Sequence, residues 1–161
     1  MDADRIRAFD DAAPPPGETE TATFALGCFW GPDAAFGAHE GVVRTRVGYA
    51  GGTTADPTYH DIGDHSEAVQ VEYEPSVVSF ADLVEMALDD GGMRHQPTKR
   101  QYHNVFFYDD EREREAIERA VEDRAMDVAA RVEPLESFTL AETYHQKYNL
   151  RSKRAVLAAS E

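Results

Sequence analysis

The segment 21–32 constrains the fold most, because it changes from strand to helix at the only cysteine of the chain. Residues 21–26 alternate between apolar and polar side chains, which predicts a β-strand with one buried face. Gly27 ends this strand. Pro32 is excluded from a helix interior but suits a first turn, so a helix is predicted to begin near Cys28. The thiol is therefore expected at a strand-to-helix junction.

That position favours a nucleophilic thiol at Cys28. The unpaired N–H groups and the positive end of a helix dipole favour thiolate, which predicts a pKa below the value of about 8.5 for a free cysteine. Phe29 and Trp30, the only tryptophan, would form an aromatic wall beside the sulfur. The alternative is a buried cysteine that acts as a small apolar residue beside two core aromatics.

The composition predicts a single acidic domain. A chain of 161 residues with 42% hydrophobic residues suits one core, with residues 1–20 as a flexible acidic lead-in and residues 21–161 as the domain. A net charge of −15 argues against nucleic acid or an anionic membrane as partner, because neutralising phosphates requires a basic face. We interpret the acidity as adaptation of a solvated surface to high salt, as in halophilic proteins.

The lone cysteine also restricts the chemistry. It excludes an internal disulfide and a Cys₄ or Cys₂His₂ zinc site, and it fits a reducing compartment. His60, Asp61, Asp64 and His65 lie in a glycine-interrupted loop with no fixed face, which does not favour a metal site. We therefore expect a cytoplasmic monomer with no metal and no cofactor.

The rest of the chain continues to alternate between strands and helices. Further elements are predicted as strands within 41–52, 65–74, 105–108 and 132–139, helices within 79–91 and 110–130, and a short helix or tail at 141–150. This order contains two strand–helix–strand units. It predicts the α+β class, with a ferredoxin-like α/β plait, a mixed sheet and helices on one face.

Two further residues attract attention by their position. Glu67 begins a predicted strand and shares the parity of Val69 and Val71, so it is expected to face the core, where burial raises the pKa of a carboxyl group. The alternative is a strand start that has not reached the core and leaves Glu67 solvated. Tyr59 lies in the polar, turn-rich loop 53–64, a kind of segment that often carries function.

Five short motifs follow one another between residues 24 and 150. They are Gly27-Cys28-Phe29-Trp30-Gly31, Gly48-Tyr49-Ala50-Gly51-Gly52, Pro57-Thr58-Tyr59, His65-Ser66-Glu67-Ala68-Val69 and Tyr144-His145-Gln146-Lys147-Tyr148. In this order they resemble the A-type peptide methionine sulfoxide reductases. The resemblance implies an α/β plait with the cysteine at the start of its first helix. It also implies reduction of methionine S-sulfoxide, peptide-bound or free, to methionine.

The resemblance further implies a role for six residues. Cys28 would be the nucleophile on sulfur, and Glu67 would give a proton to the sulfoxide oxygen. The other implied roles are a pocket for the substrate methyl group from Phe29 and Trp30, and hydrogen bonds to the oxygen from Tyr59 and Tyr102.

The chemistry of the reaction supports the two central roles independently. Reducing a sulfoxide needs a soft nucleophile and a proton for the departing oxygen, so a thiolate and a carboxylic acid in an apolar site are sufficient. The thiol ends this step as a sulfenic acid. Because Cys28 has no partner cysteine in the chain, a thioredoxin-like protein or a small thiol is the expected reductant.

The chain departs from the family pattern between residues 95 and 104. The family usually has His-Asp-Pro-Thr, a Gly-Asn-Asp-x-Gly-Thr loop and Gln-Tyr-Arg-Ser, whereas this chain reads His-Gln-Pro-Thr-Lys-Arg-Gln-Tyr-His-Asn. The active-site aspartate of the family therefore has no counterpart. His95 or His103 would be candidates to supply the lost hydrogen bonds, unless both are solvated. A second function stays open, namely a module that binds methionine or its sulfoxide with little or no turnover.

Overall fold

The computed structural model describes residues 18–89, 91–124 and 127–146. Within these ranges the chain forms strands β1 (Glu20–Leu26), β2 (Val42–Ala50), β3 (Ser66–Tyr73), β4 (Asn104–Tyr108), β5 (Arg131–Pro134) and β6 (Phe138–Leu140), with helices α1 (Trp30–Gly37), α2 (Phe80–Leu88) and α3 (Glu111–Glu122). Most of the predicted lead-in, and the predicted helix or tail from residue 147 onward, lie outside the described residues.

The strands form one sheet in the order β5-β4-β1-β3-β2-β6. The neighbours from β4 to β6 are antiparallel, whereas β5 runs parallel to β4. The unit β1-α1-β2 is split by β3, and the unit β3-α2-β4 is split by β1. Two interleaved split units of this kind define the ferredoxin-like plait, so the predicted fold class with a mixed sheet is confirmed.

The main core lies between the helices and one face of the sheet. The predicted alternation of β1 puts Phe24 on this face, where it packs with side chains from every helix, among them Phe36, Leu83 and Ile117. The helix α2 begins as predicted at Ser79, whose hydroxyl accepts the N–H of Asp82 in a capping box. Both elements form as predicted, because the apolar side chains that their local patterns place on one face are the ones that the sheet and helices bury together.

The opposite face of the sheet carries a smaller cluster. Its members are Ala25, Ala50, Ala68, Val105 and Phe107, and Leu135 and Phe138 pack against them. Because three members are alanines, this cluster protrudes little from the sheet, and the connection between β5 and β6 can cover it without a further helix.

The prediction of one last strand over 132–139 is wrong. Two short strands form instead, β5 beside β4 and β6 beside β2, at opposite edges of the sheet. Pro134 ends β5, because proline has no N–H to continue a ladder, and the connection that follows contributes Leu135 to the second face. The helix α3 is also shorter than predicted and ends at Glu122 rather than at Ala130.

None of the helices among the described residues is long and apolar enough to cross a membrane.

A substitution at Gly48 tests how closely β6 packs against β2. A Cβ atom at this position would lie 2.3 Å from the Thr139 carbonyl oxygen, whereas one at Gly31 in α1 would meet nothing within 4 Å. We expect Gly48→Ala to lower the free energy of unfolding by about 1–3 kcal/mol, the usual cost of overpacking. Gly31→Ala is the matched control and should raise it by up to about 1 kcal/mol. Urea unfolding monitored by circular dichroism measures both, and equal stabilities would contradict the close packing of β6.

Candidate active site

One end of the sheet gathers every predicted site residue among the described residues. Because β3 runs antiparallel to β1 and β2, its first residues lie beside the last residues of both, and Glu67 pairs with Tyr49. The start of β4 joins them, since Asn104 pairs with Leu26. Segments that are distant in the chain thus meet at the junction between β1 and α1.

Cys28 lies at the strand-to-helix junction, as predicted. Gly27 takes a φ of 81°, a left-handed conformation that suits glycine, and turns the chain out of β1. The helix α1 follows with Phe29 as its N-cap residue. The Cys28 side chain is exposed, and its sulfur accepts the backbone N–H of Trp30. The alternative of a buried, apolar cysteine is therefore wrong.

The predicted lowering of the Cys28 pKa is also wrong. Partial desolvation raises the pKa of this thiol, the N–H of Trp30 lowers it, and the nearby charge of Glu67 raises it, with a net increase. The helix dipole acts only over the first turn, and a carboxylate at close range opposes it. A local sequence pattern cannot show that a charge on another strand lies beside the thiol.

Glu67 is buried, with 1% of its surface exposed. Its Oε1 accepts the N–H of Phe29 at 3.2 Å, and its Oε2 accepts the side-chain amide of Gln101. Burial raises the pKa of Glu67 and outweighs these two hydrogen bonds, which lower it. The inward orientation predicted from its parity is confirmed, and the alternative of a solvated carboxylate is wrong.

The two aromatic residues after Cys28 differ in burial. Phe29 is buried, with its ring centroid 6.0 Å from that of Tyr49 and 5.2 Å from that of His145. Trp30 is half-buried and donates its indole N–H to Nδ1 of His145 at 3.2 Å. The indole is therefore held against the His145 ring, with ring centroids 5.7 Å apart.

The two tyrosines predicted for the site, Tyr59 and Tyr102, lie beside each other. Tyr59 and Tyr102 share a hydrogen bond. Desolvation raises the pKa of Tyr102, and the charge of Glu67 raises it further. The Tyr59 ring lies 4.5 Å from the His145 ring, centroid to centroid. The Tyr102 phenol thus lies close enough to the Glu67 carboxyl group and the Cys28 thiol for their charges to act on it, and Tyr59 is its hydrogen-bond partner.

Glu142 and His145 belong to this site but were not singled out from the sequence. Glu142 accepts the hydroxyl of Tyr49 at 2.9 Å, the N–H of Tyr59 at 3.2 Å and the hydroxyl of Tyr144 at 3.2 Å. Desolvation raises the pKa of Glu142, but a hydrogen bond from its own backbone N–H, together with these three, brings the pKa below its ordinary value. The carboxylate therefore ties the loop 53–64 to the C-terminal segment.

For His145 the available signal was the motif 144–148, which contains it but does not indicate its chemistry. Glu142 lies two residues before this motif, and no sequence signal marked it. His145 has 2% of its surface exposed and lies in ring contact with four aromatic side chains, those of Phe29, Trp30, Tyr59 and Tyr144.

Gln101, a third residue not singled out, lies in the short 3₁₀ turn Arg100–Tyr102. Arg100 donates from Nε to the Asp64 carbonyl at 2.5 Å and from Nη2 to the Gly51 carbonyl at 3.2 Å. Ser66 donates its hydroxyl to the Arg100 carbonyl at 2.5 Å. The hydrogen bond to Glu67 thus comes from this anchored turn and not from His95 or His103.

Two of the polar residues considered above as metal ligands, Asp64 and His65, have structural partners instead. The Asp64 carboxylate accepts backbone and hydroxyl hydrogens of Thr53 and Thr54, which lowers its pKa. His65 is buried and accepts the N–H of Gly52 at 3.2 Å. In the part of the chain that the structure describes, no three His, Cys, Asp or Glu side chains group in a way that would hold a metal ion.

Comparison with known proteins identifies the family. The sequence model of the family described as peptide methionine sulfoxide reductase matches residues 20–160. A peptide methionine sulfoxide reductase of Drosophila melanogaster is 39% identical over 144 residues, which are 83% of this chain and 57% of that relative. The chain therefore spans little more than half the length of that protein.

Solved structures agree in fold. Methionine sulfoxide reductase A of Corynebacterium diphtheriae superposes with a TM-score of 0.71 at 31% identity, over 87% of this chain and 77% of that one. Mxr1 of Saccharomyces cerevisiae, in complex with Trx2, superposes with a TM-score of 0.57 at 22% identity, over 84% and 88% of the two chains. The chain belongs to the peptide methionine sulfoxide reductase family.

The link between Glu67 and Cys28 predicts a change in thiol ionisation. Glu67→Gln removes the negative charge that raises the Cys28 pKa, so the pH midpoint for alkylation by iodoacetamide should move to lower pH. Glu72→Gln is a matched control on the same strand, since Glu72 pairs with Arg44 at 2.7 Å and does not contribute to the raised pKa of Cys28. Mass spectrometry of the alkylated protein gives the midpoint. An upward shift, or equal shifts in both variants, would contradict the proposed coupling.

Proposed function

We propose that this chain reduces the S-sulfoxide of methionine, in proteins or as the free amino acid, to methionine. Cys28 acts as the nucleophile, and an external thiol is the final reductant. The observation that carries the proposal is the buried carboxyl group of Glu67 beside the exposed thiol of Cys28. Membership of the reductase family supports the same reaction.

The reaction balances with these two groups. The Cys28 thiolate attacks the sulfoxide sulfur while Glu67 gives its proton to the sulfoxide oxygen. The attack forms a bond between the two sulfur atoms. This bond and the sulfur–oxygen bond of the substrate then break as the protonated oxygen passes to the Cys28 sulfur, which leaves methionine and a sulfenic acid. The thiol sulfur is oxidised by two electrons, and the substrate sulfur is reduced by two.

The pKa values of the pair fit these tasks. Burial raises the pKa of Glu67, which keeps a proton available for the oxygen. The charge of Glu67 raises the pKa of Cys28, so the thiolate forms more readily once Glu67 is neutral. The reactive form of the pair therefore carries a single negative charge, on the sulfur.

Aromatic groups around the thiol suit the substrate. The half-buried indole of Trp30 offers apolar area and sulfur–aromatic contact for the methyl thioether part of methionine. Buried Phe29 contacts the same His145 ring as Trp30. We assign hydrogen bonding of the sulfoxide oxygen to the hydroxyl groups of Tyr59 and Tyr102; their mutual hydrogen bond and the effect of the Glu67 charge on Tyr102 support this role.

Regeneration requires thiols from outside the chain. A first thiol attacks the sulfenic acid, releases water and leaves a mixed disulfide on Cys28, and a second thiol then frees Cys28. Cys28 is the only cysteine, and its exposure allows an external thiol to approach. We propose a thioredoxin-like protein or a small thiol for this role. The complex of yeast Mxr1 with Trx2 supports the former.

The remaining proposals follow from composition. A lone, exposed thiol suits the reducing cytoplasm, and we propose a monomer there. The net charge of −15 supports function at high salt, where screening weakens self-repulsion. The pairing of thiol and buried acid disfavours the alternative of a non-catalytic binding module.

Replacing the acid should separate chemistry from binding. We expect Glu67→Gln to lower the turnover of a methionine sulfoxide peptide with dithiothreitol by roughly 10²-fold or more, because an amide cannot act as the general acid. Cys28→Ser is the reference for complete loss, since an alcohol is a poor nucleophile toward sulfur. Liquid chromatography of the reduced peptide measures the rate at low and high salt. A Glu67→Gln rate equal to that of the wild type at every pH would assign the proton to another donor.

The absence of a second cysteine predicts a single turnover without thiol. The wild-type protein should then release at most one equivalent of methionine and hold a sulfenic acid that dimedone traps on Cys28. Mass spectrometry after exposure to excess sulfoxide detects the adduct. Several turnovers without a reductant would rule out the scheme, and an unmodified Cys28 with no methionine formed would favour the binding module.

A further inference from the structure

The two oxygen atoms of Glu67 have different hydrogen-bond environments. Oε1 accepts the backbone N–H of Phe29 at 3.2 Å. A backbone N–H can only donate, and the hydroxyl oxygen of a carboxylic acid is a weaker acceptor than its carbonyl oxygen, so a proton placed on Oε1 would weaken this hydrogen bond. We therefore expect the acid form of Glu67 to carry its proton on Oε2, the oxygen that faces Gln101.

The amide of Gln101 can serve both protonation states of Glu67. With its NH₂ group toward Oε2, as in this structure, it donates to the carboxylate. When the amide flips about its Cγ–Cδ bond, its oxygen and nitrogen exchange places. It then presents a carbonyl oxygen that accepts the proton of the carboxylic acid. A carboxylate at the same place would repel the charged form of Glu67 instead.

The backbone of Gln101 is held independently of Glu67. Three hydrogen bonds connect the turn 100–102 to Ser66 at the start of β3, to Asp64 before β3 and to Gly51 after β2. The amide therefore has one main freedom, which is rotation of its own side chain. This is the segment in which the family's active-site aspartate has no counterpart.

We propose that Gln101 is the positioning residue of the proton donor, holding Glu67 Oε2 as a carboxylate and turning to accept its proton as an acid. The role of Glu67 as donor rests on the proposed function, whereas the link between Gln101 and Glu67 does not. The titratable groups that face Glu67 are Cys28 before α1, Tyr49 on β2 and Tyr102 in the turn.

The test replaces the amide with an apolar side chain of similar length. In Gln101→Met, Glu67 loses a hydrogen bond to its charged form, so the midpoint of its titration should rise. ¹³C NMR of labelled glutamate carboxyl groups measures this midpoint, and the signal is assigned by its loss in Glu67→Gln. Gln70→Met is the matched control, because Gln70 contacts Thr23 at 3.3 Å and not Glu67.

The kinetic arm examines orientation. At a pH below the Glu67 midpoints of both proteins, where Glu67 is an acid in each, kcat of Gln101→Met should fall roughly fivefold, because losing a hydrogen bond between neutral groups costs about that factor. KM should change little, and the alkaline limb of the pH profile should follow the midpoint upward. Gln101→Glu should raise the midpoint as well, since two neighbouring carboxyl groups cannot both ionise easily.

Distinct outcomes separate this inference from the proposed function. A raised midpoint in both Gln101 variants and an unchanged one in Gln70→Met support the inference, even in a protein that lacks reductase activity. Unchanged midpoints and rates in the Gln101 variants, or an equal shift in Gln70→Met, overturn it while leaving a measured reductase activity intact.

Discussion

The hydrogen bond from the Phe29 N–H to the Glu67 carboxyl group joins the first helix to the third strand at the residue after the thiol. It satisfies one of the N–H groups that a helix start leaves unpaired, and it makes a buried carboxyl group tolerable. The same contact sets Glu67 close enough to Cys28 for its charge to raise the pKa of the thiol. The chemistry proposed for the site depends on this one junction.

Two carboxyl groups at this end of the sheet have opposite environments. Glu67 is buried and its pKa is raised, whereas Glu142 has a lowered pKa and gathers donors from three tyrosines. The first is suited to hold a proton, and the second to stay charged as an anchor. Because Glu142 holds the backbone of Tyr59, the charged anchor also places one of the phenols near the proton donor.

The C-terminal segment closes the site through contacts of long range. Gln146 exchanges two hydrogen bonds with the backbone of Val47, and His145 accepts the indole N–H of Trp30. These contacts connect residues 99 and 115 positions apart in the chain. The aromatic wall beside Cys28 is therefore a product of the whole fold, although two of its members are neighbours of the thiol.

The sequence by itself determined the elements around the thiol, because their signals are local. The alternation of β1, the stop at Gly27, the capping by Ser79 and the parity of Glu67 express backbone geometry over a few residues. The ordered motifs determined the family in the same way, and the comparisons confirm it. The six candidate residues lie together because the predicted plait brings their segments to one end of the sheet.

Only the tertiary structure decided the direction of the Cys28 pKa, the division of 132–139 into two strands, and the places of Gln101, Glu142 and His145. A pKa depends on burial and on charges from other elements, which periodicity does not report. A segment that can form a strand pairs with any edge strand whose backbone groups are unpaired. Here β6 pairs with β2 and β5 pairs with β4, so the segment 132–139 is divided between the two edges of the sheet. A glutamine, a glutamate and a histidine in polar segments have no local pattern that distinguishes a buried partner from a solvated side chain.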